Sequence, residues 1–158
     1  MKKTARFILC TLFIIYCFIV AYIVFFSRGF RTQYTYSHYW QNFTNFIPFK
    51  TVLNYIKLYN DGLRILSVLQ LLGNFVLFLP MGAFLPCVFK KLDRFWKVVL
   101  SVFIMVFCVE VIQFLLRVGI IDVDDLIFNL CGAMIGYGIV RIPFVSKLLQ
   151  KIYFLEQC

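Results

Sequence analysis

Residues 110 to 129 read EVIQFLLRVGIIDVDDLIFN, and the fold turns on how that stretch divides. Glu110, Gln113 and Arg117 recur at i, i+3 and i+7, so on a helix they share one face. Asp122, Val123, Asp124 and Asp125 then supply an N-cap and first-turn acids suited to opening a second helix. On that second helix Asp122, Asp125, Asn129, Gly132 and Gly136 fall within an arc of about 80°, at 100° per residue. Everything around these groups is apolar, and an ionisable side chain inside hydrocarbon costs about 2.5 to 3.5 kcal/mol on insertion scales. Such a cluster needs partners or a purpose.

The rest of the chain sets that cluster in a membrane. Hydrophobic residues make up 63% of the 158 and charged ones 15%, whereas a soluble domain is roughly half apolar and a quarter charged. The composition predicts an integral membrane protein. A net charge of +9 comes with no basic stripe, RNA-binding signature or zinc-finger spacing, so nucleic acid is excluded as a partner. The lysines and arginines sit at the ends of apolar runs, where they act as topology signals. Of the six cysteines, Cys10, Cys17, Cys87, Cys108 and Cys131 fall in or beside those runs and read as small apolar side chains, not as a disulfide framework.

Four runs are long enough to cross about 30 Å of hydrocarbon at about 1.5 Å per residue: residues 7–26, 63–88, 96–116 and 124–140. The expected fold is an all-α bundle of four transmembrane helices forming a single membrane domain over residues 1–158. An external connection spans 27–62, and a cytoplasmic tail spans 141–158. The second span contains Gln70, Gly73, Asn74, Pro80 and Gly82, and the proline predicts a kink near Leu77 to Pro80 that neighbouring helices can accommodate. In the fourth span, Gly132 and Gly136 form a pair suited to close backbone approach.

Positive residues near the span ends give the orientation. Lys2, Lys3, Arg6, Lys90, Lys91, Arg94, Lys97, Arg141, Lys147 and Lys151 fall on one side, against Arg28, Arg31, Lys50, Lys57, Arg64 and Arg117 on the other, which places both termini in the cytoplasm. The turn after Leu116 then faces outward. Measured from the outer ends, Glu110 lies about 9 Å deep, Asn129 about 8 Å and Asn74 about 16 Å, all in the outer half of the bilayer.

The stretch Gly73-Asn74-Phe75-Val76-Leu77-Phe78-Leu79-Pro80-Met81-Gly82, followed by Glu110-Val111-Ile112-Gln113, Arg117, Asp122, Asp125, Asn129 and Gly132, resembles the VanZ-like family. Its pattern joins an N-x-x-x-F-x-P-x-G span, an E-x-x-Q span and a D-x-x-x-N-x-x-G span. Upstream, Asn45-Phe46-Ile47-Pro48-Phe49-Lys50-Thr51 is similar to the short proline-phenylalanine segment that precedes the second span in that family. The ordered set is more specific than any one motif and covers about residues 45 to 140. The resemblance implies an accessory role in glycopeptide, specifically teicoplanin, resistance or a related role in the cell envelope. It carries Asn74, Pro80, Glu110, Gln113, Arg117, Asp122, Asp125 and Asn129 as the motif positions.

The connection at 27–62 is crowded with Phe30, Tyr34, Tyr36, Tyr39, Trp40, Phe43, Phe46, Phe49, Tyr55 and Tyr59, rings that favour the headgroup level. Val52, Tyr55, Ile56 and Tyr59 recur at helical spacing, which predicts a short interfacial helix. His38, the one histidine, reads as a surface residue. No GxSxG, HExxH, P-loop or zinc-like Cys/His spacing is present, so no cofactor or metal is expected. Glu110 is the one candidate catalytic group, since a carboxyl in low dielectric can exchange a proton. Three functions follow: action at the outer leaflet on a lipid-linked cell-wall precursor or lipoglycopeptide, a membrane enzyme acting on a lipid headgroup or lipid-linked sugar through Glu110, or a structural scaffold.

Overall fold

Backbone amides that cannot reach water must bond within their own segment, and in hydrocarbon a single chain run can do so only as a helix. A computed structural model of the chain describes residues 2–26, 29–60 and 64–153. Its elements are α1 (Lys2–Phe26), α2 (Tyr36–Asn42), β1 (Thr44–Asn45), α3 (Lys50–Asn60), α4 (Arg64–Val88), α5 (Phe95–Leu116), β2 (Ile121–Asp122), α6 (Val123–Arg141) and α7 (Pro143–Tyr153). Among the described residues the architecture is all-α apart from a two-residue parallel pairing, Thr44 with Ile121 and Asn45 with Asp122, and an isolated antiparallel bridge between Phe30 and Val118. Among the described residues three helices are long and apolar enough to cross a membrane: Thr4–Phe26, Phe95–Leu116 and Val123–Arg141. Within α4 the qualifying apolar run is shorter, Leu72–Val88. The start expected for the second span, residue 63, and the end of the tail, 154–158, lie outside the described residues.

The tightest packing in the bundle is between α4 and α6, and glycine permits it. A Cβ at Gly132 would collide with the Phe75 carbonyl oxygen, one at Gly136 with that of Leu79, and one at Gly82 with that of Ala133. Phe75 to Leu79 and Gly132 to Gly136 advance together, so the two helices run parallel with their backbones in contact. Around this pair, Val98, Val102 and Val106 of α5 are buried against Val20 and Val24 of α1, Phe78, Met81 and Leu85 of α4, and Ala133 of α6. Leu, Ile and Phe side chains on the outer faces of α1 and α5, such as Phe7, Phe18, Ile104 and Phe107, remain exposed. In a membrane chain that surface meets acyl tails.

Pro80 and Pro86 both lie inside a continuous α4. Pro80 cannot donate to the Val76 carbonyl four residues earlier. At the adjoining Leu77 carbonyl the Tyr16 hydroxyl of α1 donates at 2.6 Å, so a neighbouring helix supplies a donor beside the disturbed turn.

The described residues add detail to three sequence expectations. Within the 27–62 connection the described residues hold α2 and β1 as well as α3, which lies where the repeat of Val52, Tyr55, Ile56 and Tyr59 predicts a short helix. Within the 141–158 tail, Pro143–Tyr153 form α7, because Pro143 suits a first helical turn and PFVSKLLQKIY has an amphipathic repeat. Cys10, Cys17, Cys108 and Cys131 are free thiols.

The α4–α5 turn is tied to the end of α6. The Asp93 carbonyl accepts from the Tyr137 hydroxyl at 3.0 Å and from the Arg141 guanidinium. Its carboxylate pairs with Lys97 at 2.8 Å. That hydrogen bond from Lys97 is the main cause holding the Asp93 carboxyl below its ordinary range.

Candidate functional site

At the opposite end of the bundle the acidic turn is built into the fold. Asp122 caps α6 through a bond from the Asp124 amide at 2.9 Å, as its position before the helix predicts. It also accepts from the Asn45 side chain at 3.0 Å and from the Thr51 hydroxyl. Asp124, 1% exposed, turns its carboxylate to the start of α3. One oxygen accepts from the Phe49 amide at 2.6 Å and the other from the amides of Thr51 and Val52 at 3.0 and 3.4 Å. A helix start presents unsatisfied amides and partial positive charge, which suits a buried carboxylate. Phe49 carries φ 63, a left-handed conformation uncommon outside glycine that the Asp124 bond helps hold.

Arg117 plays a matching part at the end of α5. It adopts the left-handed C-cap conformation, φ 51. Its guanidinium donates to the carbonyls of Thr32 at 3.1 Å and Tyr34 at 2.5 Å and lies 4.7 Å over the Tyr36 ring. The Tyr39 hydroxyl, fully buried, donates to the carbonyls of Val118 and Gly119, both at 3.1 Å. The aromatic segment is thereby fastened to the α5–α6 turn.

Deeper in the bundle the amides behave differently. Gln113 is 1% exposed and donates to the Val24 carbonyl of α1 at 3.0 Å, yet its own oxygen accepts no hydrogen bond among the described residues. The same holds for the oxygen of Asn129, which is 6% exposed. One carboxylate oxygen of Glu110 is also buried, so this side chain does not extend into the surroundings of α5. Asn74, Glu110 and Asp125 each engage a partner. From the Phe75–Gly132 contact, Asn129 sits level with Leu72, about 3 Å along the axis from Asn74.

The sequence-derived set therefore divides. Arg117 and Asp122 belong to the scaffold that fastens the connecting segment, while Gln113 and Asn129 keep buried acceptor capacity. Sequence reasoning gave no site role to Asn45, Thr51 or Tyr39 and did not show the α3-capping role of Asp124. For Asn45 and Thr51 the signal was the quoted 45–51 segment, a motif with no assigned partner until β1 meets β2. Among the described residues no group of three or more His, Cys, Asp or Glu side chains could hold a metal ion.

A VanZ/LLP1 family model matches residues 13–145. The chain belongs to that family. It is 25% identical over 138 residues to Protein VanZ of Enterococcus faecium, an alignment that covers 80% of this chain and 82% of the relative. No solved structure matches it. The family match takes in every candidate residue together with α4, α5 and α6, and it stops two residues after Pro143, near the start of α7.

Proposed function

We propose that this is a multi-pass protein of the bacterial cytoplasmic membrane in which α1, α4, α5 and α6 all cross the bilayer with both termini in the cytoplasm. Its polar site, formed by Asn74, Glu110, Gln113, Asp125 and Asn129 beneath the folded connection, engages a lipid-linked cell-wall precursor or a lipoglycopeptide from the outer leaflet. Teicoplanin tolerance is the phenotype suggested by kinship with Protein VanZ. The orientation is supported by the lysines and arginines around the α1 start, the α4–α5 turn and the α6 end.

One observation carries the reading. Gln113 and Asn129, on two packed helices, each leave a buried oxygen without a donor among the described residues. A network that served structure alone would satisfy its own acceptors, since each one left over costs about 1 to 3 kcal/mol. A ligand bearing hydroxyl, amide or ammonium donors would remove that cost. The test is teicoplanin susceptibility of cells expressing E110Q and N129L, with membrane levels measured in parallel. Loss of tolerance at unchanged levels is expected, and full tolerance in both variants would remove these residues from the mechanism.

The scaffold reading is favoured for the acidic turn alone, where every observed bond of Asp122 and Asp124 is internal. A Glu110-dependent change in lipid profile by the purified protein would instead move the function to a membrane enzyme.

A further inference from the structure

Helix α7 carries two different apolar faces. At 100° per residue, Val145 and Leu149 lie about 40° apart with Ser146 beyond them, and all three are half-buried where α7 packs on α6 and α1. Phe144 and Leu148 form a second strip, about 40° wide, and they stay 76% and 45% exposed. Lys151 and Lys147 border that strip at about 20° and 60° from Phe144, both exposed.

An aromatic and a leucine flanked at once by two lysines match the layering of a bilayer surface, with rings and branched chains at the acyl boundary and ammonium groups at phosphate level. Charge argues for the same occupant. Arg6, Lys90, Lys91, Arg94 and Arg141 are exposed at the same end of the bundle, where Asp93 is the one acid among the described residues. A protein partner presenting acids would meet the lysines but would leave Phe144 to find its own pocket. A leaflet of anionic lipid supplies both at one depth.

We propose that α7 is an in-plane membrane helix that binds anionic phospholipid headgroups through Lys147 and Lys151 while Phe144 and Leu148 enter the adjoining acyl layer. This surface is separate from the polar site at the other end of the bundle. Its test does not depend on any resistance phenotype.

The experiment is amide hydrogen exchange on the full chain reconstituted in nanodiscs of phosphatidylcholine alone or of equal parts phosphatidylcholine and phosphatidylglycerol. Each lysine near an anionic surface contributes about a factor of five, so exchange across 143–153 should be slower by roughly thirtyfold in the anionic discs. The double variant K147E/K151E should lose that difference, and F144S should exchange faster in both discs. Exchange in α4, α5 and α6 serves as the folding control and should stay unchanged. Equal exchange of α7 in the two lipids, or a lipid difference that survives the double charge reversal, would overturn the proposal and leave the face to a protein partner or a second copy.

Discussion

The Asp124 carboxylate accepts the Phe49 amide at 2.6 Å across 75 residues of sequence, joining the start of α6 to the turn that opens α3. Hydrogen bonds to a charged group are worth about 1.5 to 3 kcal/mol. D124A should therefore destabilise the detergent-solubilised protein by about that amount and open residues 45–52 to protease, while D124N, which keeps one acceptor oxygen, should lose less. Equal melting temperatures for D124A and the parent would contradict the capping role.

Backbone contact between α4 and α6 makes a steric prediction. G132L and G136L must push the helices apart and should cost about 1 to 3 kcal/mol or more through overpacking. G138A places a methyl group where nothing lies within 4 Å, so it should be neutral or slightly stabilising. Melting curves of the three variants read this directly. A G132L protein as stable as G138A would show that the contact is not made.

Gln113 separates structure from ligand binding. Q113M keeps the volume, gives up the bond to Val24 at 3.0 Å and removes the orphan oxygen. Interhelical hydrogen bonds in membranes average about 0.6 kcal/mol, so stability should change by less than about 1 kcal/mol. Teicoplanin tolerance, if the oxygen meets a ligand, should nevertheless fall. Retained tolerance in a stable Q113M protein would place the ligand elsewhere.

Arg117 should respond to chemistry more than to charge. One guanidinium nitrogen serves both Thr32 and Tyr34 while the plane covers Tyr36, and lysine reproduces the charge without the flat stacking surface. R117K should speed hydrogen exchange at residues 30–36 and leave α5 protected. Unaltered exchange there would mean the clamp contributes no order.

Acid should loosen the Asp93–Lys97 contact. The Asp93 carboxyl is held below its ordinary value of 3.8, chiefly by the Lys97 hydrogen bond. Its contribution is thus complete above that value and is lost as pH falls through the lower folded one. The pair is solvent-accessible, so the effect is small and screened by salt. Melting scans on both sides of that value should converge for the parent and D93N at the acid end.

Helix positions were legible from hydropathy because a run of about 20 apolar residues has few alternatives in lipid. Asp122 as the α6 cap was legible for a similar reason: an acid before an apolar run has a local role. The opposite holds for Asn45, Thr51 and Asp124. Their meaning depends on a parallel pairing between segments 77 residues apart, and no local periodicity encodes that. Arg117 looked like a member of the Glu110 and Gln113 face, but a left-handed C-cap rotates it out of the helical register. α7 was missed because membership of a basic terminal stretch was taken as its whole content, although Phe144 and Leu148 already lay one turn apart.

The pairing of Asn45 with Asp122 also bears on biogenesis. A chain made from its amino end presents residues 43–52 well before the acids at 122 and 124 emerge, so that segment lacks its bonds to Asp122 and Asp124 until α4 and α5 have been made and α6 begins. Loop closure over such a separation comes late in assembly. Protease resistance at Phe49 would therefore time-stamp the last step of membrane integration, and a chain truncated before α6 would keep that region cleavable however well its earlier helices had entered the bilayer.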